Sequence, residues 1–184
     1  MRDRSLVFLN GLLPAGPLRL LEVGIHEAWT ARNIVNYFFR ERPGSQYFGL
    51  DIWLWDGQPI PDSKNLAIRN LREIGVEQWP TSGTNGFWFD GDLFEFVNRG
   101  AVQRRSLDLI YIDSSHKPAE TLLESCLGFE LLKPGGFLLW DDYDDRNPIN
   151  QEVRQAVDPF LKIYAPKMNL IDRDYQLLAR KATA

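Results

Sequence analysis

The sequence predicts a doubly wound α/β domain, and three features predict it. Two apolar runs rich in β-branched and aromatic residues, Leu109–Ile112 and Phe137–Trp140, flank a helix-length segment. Strand, helix, strand is a parallel unit whose right-handed crossover brings both strand C-termini to one sheet edge. The same alternation of short apolar runs and segments of helical period recurs along the chain. Finally, each of the two runs ends in acid, Asp113 after the first and Asp141 and Asp142 after the second. Ligands of open α/β sheets bind at that edge, so three carboxylates delivered there are a site hypothesis from geometry alone.

The elements follow in order. The N-terminal MRDRSLVFLNGLLPAG has two arginines before an apolar run, but Asn10 and Gly11 interrupt it; it reads as a helix packing on the domain and not as a targeting segment. Leu18–Val23 is the first strand, and Ala31, Ile34, Val35, Phe38 and Phe39 then recur at helical spacing. Tyr47–Leu50 is the second strand, closed by Asp51. Trp53 to Ser63 reads as a long loop, and Leu66, Ile68, Leu71 and Ile74 mark a helix stopped by Gly75. Gly86–Phe89 is the third strand, followed by Asp90-Gly91-Asp92 and a short helix to Arg99. The central unit supplies strands four and five, with Pro134-Gly135-Gly136 as the turn into the fifth. Val153, Ala156, Val157, Phe160, Leu161 and Tyr164 form a last helix face, and Met168–Ile171 and Tyr175–Ala179 a closing antiparallel hairpin. The expectation is one domain over residues 1–184, with a mostly parallel seven-stranded sheet and a C-terminal antiparallel hairpin. The Trp53–Ser63 and Asp144–Asn150 loops would do any covering of the site.

Composition narrows the function classes. Hydrophobic residues make up 44% of the chain and charged ones 25%, which is a globular balance and not a disordered one. A formal net charge of -4, without any cluster of lysine and arginine, argues against a nucleic-acid partner. No apolar stretch approaches membrane-spanning length. The single cysteine, Cys126, excludes an internal disulfide and fits a reducing, cytoplasmic setting; its leucine neighbours place it in the core. Tryptophans exposed in the Trp53–Ser63 loop would favour a homodimer.

Individual residues suggest a nucleotide-like ligand. Gly24, between first strand and first helix, lets the backbone pass close to a ligand. Gly-x-Gly-x-x-Gly is absent there, which disfavours a nicotinamide or flavin cofactor. Asp51 is placed to accept hydrogen bonds from a ribose diol. Asp92 sits where a base would lie, or else caps the helix Leu93–Asn98.

LEVG–IHEAWTARNIV, YFGLDIW, FDGDLFEFV, LDLIYIDSSH, LLKPGGFLLWDDY and YQLLARK together resemble the class I S-adenosylmethionine-dependent methyltransferases. Within them the chain looks like small bacterial metal-dependent O-methyltransferases acting on sugars of macrolides and related antibiotics. Ala28 stands where that family commonly has a second glycine, and Ser114 replaces the glycine of D-G-S-H. The resemblance implies a Rossmann-like methyltransferase domain in which Glu22 and Gly24 line the methionine end of S-adenosylmethionine. It implies that Asp51 holds the ribose and that Asp92 lies near adenine. Asp113, Asp141 and Asp142 would be ligands of a divalent metal. The lysine base such enzymes carry three residues after the first metal aspartate falls here on His116, with Lys117 beside it; the catalytic pair would be His116 and Asp113.

Oxygen ligands without a Cys/His set suit Mg²⁺ or Ca²⁺ better than zinc. A dication would lower the pKa of an acceptor hydroxyl, and His116 could take its proton at neutral pH. Structural alternatives stand beside these roles. Asp113 could cap the helix starting near Lys117, Asp141-Asp142 could be an acidic turn, and His116 could be a satisfied polar residue. The expected function is therefore metal-assisted O-methylation of a small hydroxylated acceptor, of sugar or phenolic type. The alternative is a non-catalytic S-adenosylmethionine-binding partner or regulatory protein.

Overall fold

The computed structural model describes residues 3–55, 57–143 and 148–183. The chain divides into two compact units, Met1–Asp92 and Leu93–Ala184. In the first unit, helix α1 (Asp3–Leu12) precedes strand β1 (Arg19–Val23) and helix α2 (Trp29–Ile34), which runs on into a π-helical segment, Val35–Phe39. Strand β2 (Gln46–Asp51) leads to a small hairpin, β3 (Leu54–Trp55) with β4 (Gln58–Pro59), then to α3 (Pro61–Glu73), β5 (Val76–Gln78) and β6 (Gly86–Asp90). The four longer-range strands lie in the order β5-β6-β2-β1, and every pairing among them is parallel. Their middles are buried, β2 over Tyr47–Leu50 and β1 over Leu20–Val23, as expected for strands covered on both faces.

The expected loop over Trp53–Ser63 is instead the β3–β4 hairpin followed directly by α3. Pro61 starts that helix because proline lacks only an N–H that the first turn leaves unpaired anyway, and Asp62 in the first turn favours the helix dipole. Gly75, at φ +72°, ends it in the left-handed conformation, its N–H donating to the Arg72 carbonyl at 3.0 Å. Strand β5 is an addition to the seven expected strands. With three residues it is too short to show a period against the end of α3.

The second unit holds α4 (Leu93–Asn98), β7 (Leu107–Ile112), α5 (Pro118–Leu131), β8 (Leu132–Trp140), α6 (Pro148–Tyr164), β9 (Met168–Arg173) and β10 (Leu177–Lys181). The order is β7-β8-β10-β9. Strands β7 and β8 are parallel, with Leu109 opposite Phe137 and Ile112 opposite Trp140, whereas β10 runs antiparallel to both of its neighbours. The strand–helix–strand unit read from the sequence is thus present, as is the terminal hairpin. Its turn falls later than expected, so Tyr175 and Gln176 lie before β10. Of the Asp144–Asn150 segment, 144–147 lie outside the described residues and the rest opens α6.

Burial holds this unit together. Trp140, fully buried, packs edge-on against Phe160 with centroids 5.6 Å apart and donates its indole N–H to Ser125 Oγ at 2.9 Å. The buried Lys181 ammonium donates to the Phe129 and Leu132 carbonyls at 2.6 and 3.0 Å. Phe129 belongs to the last turn of α5, whose carbonyls have no partner within the helix. Burial pushes the Lys181 amine below its ordinary value.

Candidate active site

The first unit gathers its candidate residues at the carboxyl ends of β1, β2 and β6. Asp51 pairs with Asp90 across β2 and β6, and the Gly24 and Gly91 N–H groups donate to the Leu50 and Asp51 carbonyls at 2.9 and 3.0 Å. Asp51 organises this edge. One carboxylate oxygen accepts the His26 N–H at 2.8 Å and the other the Trp53 N–H at 2.6 Å. It therefore ties the loop after β1 to the turn after β2. The Trp53 indole adds a bond to the His26 carbonyl at 3.1 Å and packs edge-on against Trp88, 5.4 Å between centroids.

The loop from Gly24 to Ala28 is unusually wound. Gly24, His26 and Ala28 all have positive φ, at +90°, +46° and +63°. Glycine suits the first of these, but a side chain in this region carries a steric cost, about 1–2 kcal/mol for an L-residue. Ala28 bears it while fully buried, and the Asp51–His26 bond holds the loop in place. Asp92, exposed, is the second residue beyond β6.

Glu22 sits differently from a residue open to ligand. It is only 1% exposed, and its carboxylate accepts the Tyr47 hydroxyl at 2.6 Å. Gly49, opposite Glu22 in the register, makes this possible. A Cβ there would lie 2.7 Å from the Tyr47 hydroxyl oxygen, so only glycine leaves room for the ring to cross. Burial, then the Glu22 charge, pushes the Tyr47 phenol well above its ordinary value, so it remains a donor. Tyr47→Phe is expected to cost about 1–3 kcal/mol, because it strips a donor from a buried carboxylate. Denaturant unfolding measures this, and a loss below about 0.5 kcal/mol would show that other groups satisfy Glu22.

The second unit forms an acid cluster at the ends of β7 and β8. The Asp141 N–H donates to the Ile112 carbonyl at 3.0 Å, which continues the parallel ladder and sets Asp141 and Asp142 beside Asp113. Asp113 does not cap α5, whose N-cap is Lys117 and has no side-chain cap bond. The Tyr111 hydroxyl lies 2.8 Å from one oxygen of Asp113 and 2.8 Å from one of Asp141. The other Asp141 oxygen accepts the Gln176 amide at 2.6 Å. The Tyr175 hydroxyl donates to Asp142 Oδ1.

His116 closes the cluster. Its Nε2 lies 3.2 Å from Asp142 Oδ2 and 3.7 Å from Asp113 Oδ1. That nitrogen is buried and makes no hydrogen bond, Asp113 lying beyond hydrogen-bonding distance. Asp113, His116 and Asp142 each offer one donor atom within 4.8 Å of the other two. Asp141 stands beside that trio, its two oxygens turned to Tyr111 and Gln176. His116 and Asp142 both have positive φ, +62° and +52°, a conformation that Asp and His adopt more readily than most residues. The Asp113 carboxylate beside it, with Asp142 and Asp141, raises the His116 pKa against the opposing effect of burial. Burial, then the Asp113 charge, raises that of Asp141. One phenolic proton cannot serve two carboxylates at once, so the Tyr111 hydroxyl donates to one of the two at a time.

Several residues of these clusters escaped the sequence. Tyr47, Tyr111, Tyr175 and Gln176 orient the acids, but in sequence they are aromatic strand residues or turn residues like any others. The one legible signal is Tyr111, since its alternation in β7 puts it on the same side as Asp113, two residues on.

Comparison with known proteins adds to this geometry. Residues 21–143 match the model of a family described as a methyltransferase domain. No curated protein matches the chain. Among solved structures, a putative O-methyltransferase from Klebsiella pneumoniae is 16% identical with a TM-score of 0.63, the match covering 99% of this chain and 81% of that one. The O-methyltransferase from Bacillus cereus, solved with S-adenosylhomocysteine, is 13% identical with a TM-score of 0.66, over 98% and 82% of the two chains. A putative rRNA methylase from Clostridium thermocellum is 13% identical with a TM-score of 0.69, over 97% and 95%. At these identities the likeness shows the fold, a Rossmann-like α/β arrangement with a mostly parallel sheet and a C-terminal antiparallel hairpin. With two thirds of its length matched by the family model, and with that fold, the chain belongs to the methyltransferase domain family.

Proposed function

We propose that this protein is an S-adenosylmethionine-dependent O-methyltransferase of a small hydroxylated acceptor, sugar or phenolic, assisted by a dication. The whole chain, 1–184, serves as one catalytic domain, since the family match runs through both units. What carries the reading is the carboxyl edge of β1, β2 and β6, where Gly24, Asp51 and Asp92 stand at successive strand ends within the matched region. The S-adenosylhomocysteine in the Bacillus cereus structure supports the same cofactor class.

The residues present fit the cofactor. Each oxygen of a carboxylate has two lone pairs, so Asp51 can accept ribose hydroxyls while still holding His26 and Trp53. Gly24 admits a close backbone approach, Asp92 is exposed for the base, and Glu22, braced by Tyr47, shapes the floor near the methionine end. S-Adenosylmethionine supplies an electrophilic sulfonium methyl. The acid cluster fits a dication as well, since a buried imidazole nitrogen without a hydrogen bond faces two carboxylates. Asp113, His116, Asp141 and Asp142 would position it and handle the acceptor's proton, with Mg²⁺ or Ca²⁺ the cations that the acids alone would suit. A bound dication supplies Lewis acidity that lowers the pKa of the acceptor hydroxyl.

A ribosomal RNA acceptor, which the name of the Clostridium thermocellum protein raises, is disfavoured by the net charge of -4. No helix among the described residues is long and apolar enough to cross a membrane. The single cysteine fits a reducing compartment such as the cytoplasm. A homodimer would bury the β3–β4 hairpin, where Trp55 is 68% exposed. Trp53 is buried and takes no part.

Calorimetric titration of S-adenosylhomocysteine, with Mg²⁺ and then with EDTA, tests the proposal. Micromolar binding is expected, followed by transfer of labelled methyl to a sugar or phenolic acceptor. Lack of binding under both conditions would overturn it. Binding without transfer across the acceptor panel would favour a non-catalytic cofactor-binding protein.

A further inference from the structure

We infer that His116 is itself a ligand of the bound dication, through Nε2, and that the site therefore prefers a borderline metal such as Co²⁺ or Zn²⁺ to Mg²⁺ or Ca²⁺. The inference rests on the metal-assisted reading above and changes which atoms do the holding.

Asp113 has one oxygen on the Tyr111 hydroxyl, and Asp142 has one on the Tyr175 hydroxyl. The remaining oxygen of each, Asp113 Oδ1 and Asp142 Oδ2, is the one near His116 Nε2, at 3.7 and 3.2 Å. Nε2 is buried and hydrogen-bonded to neither. Three donor atoms thus converge, and two of them are oriented from behind by tyrosines, as outer partners commonly orient metal ligands. Ligands about 2.0–2.2 Å from one tetrahedral ion are about 3.3–3.6 Å apart. The separations of 3.2 and 3.7 Å from Nε2 sit close to that.

Asp141 lies outside the trio whose donor atoms converge. Its two oxygens face Tyr111 and Gln176 at 2.8 and 2.6 Å, so its role is to brace Tyr111 and, through it, Asp113. The site then presents one imidazole and two carboxylates. Imidazole nitrogen favours zinc, nickel and copper-like ions, whereas an all-oxygen set favours magnesium and calcium. With Nε2 on the metal, that nitrogen is no longer available as the base expected from the sequence.

The chain has only two histidines, and His26 is exposed and lies in the first unit. Imidazole resonances of the 184-residue chain can therefore be assigned and followed during titration with Zn²⁺ and with Mg²⁺. The expected result is one-to-one Zn²⁺ binding, with the His116 nitrogen signals moving to those of a metal-bound Nε2. His116→Ala should lower Zn²⁺ and Co²⁺ affinity by at least thirtyfold and change Mg²⁺ affinity less than threefold. Dication binding with unmoved His116 signals, and with equal affinities in His116→Ala, would overturn the inference and leave the metal to the carboxylates alone. If no dication binds, Mg²⁺ included, the metal-assisted reading falls together with it. The resonance measurement uses the unaltered protein and stands even if the variant fails to fold.

Discussion

Asp51→Ala is expected to weaken S-adenosylhomocysteine binding by about fivefold to 150-fold, corresponding to about 1–3 kcal/mol of lost hydrogen bonding to a charged acceptor. The same change should lower stability, because the His26 and Trp53 N–H groups, at 2.8 and 2.6 Å, lose their shared acceptor. Those two bonds hold the Gly24–Ala28 loop, in which three residues have positive φ. Asp51→Asn separates the effects. It keeps one carbonyl oxygen for a backbone N–H but turns an NH₂ toward the other, so folding should recover in part while cofactor affinity stays low. Calorimetry at a temperature where each variant is folded gives the affinities. An unchanged dissociation constant in folded Asp51→Ala would mean that the cofactor lies elsewhere.

Tyr111→Phe has the other large expected effect. The hydroxyl of this fully buried tyrosine is the shared partner of Asp113 and Asp141, at 2.8 Å from each. Without it, two adjoining carboxylates face each other across an apolar ring edge. The loss of stability in EDTA should be about 1–2 kcal/mol, because the hydroxyl has one proton to give, Gln176 still serves Asp141 and Asp113 is partly exposed. Removing an outer partner of a metal ligand should also reduce dication affinity by about tenfold to a hundredfold. Loss of stability with full metal affinity would show that Tyr111 supports the fold without orienting Asp113.

Much of the fold was legible because its signals are local. Apolar strand runs, helical spacing and punctuation by Gly75 and Pro134-Gly135-Gly136 are properties of short windows. Val76–Gln78 and the β3–β4 hairpin were not legible. Each strand of that hairpin has two residues, and β5 has three, so their pairing depends on neighbours supplied from elsewhere in the chain. Half of the site was legible for the same reason. An acid directly after a parallel strand must emerge at the sheet's carboxyl edge, which placed Asp51, Asp113, Asp141 and Asp142 without any contact being known.

The sequence by itself determined the fold class, the family resemblance and the strand-end positions of the acids, because strand direction and chain order settle them. Only the tertiary structure decided what each acid's oxygens do. Glu22 turned out to be enclosed with Tyr47, a result of the room that Gly49 leaves across the strand. Asp141 engages Tyr111 and Gln176, whereas His116 points its buried Nε2 between Asp113 and Asp142. These partners lie up to 35 residues apart in the chain. Hydrogen bonds are directional over a few tenths of an ångström, so only folded coordinates say which oxygen remains for a ligand.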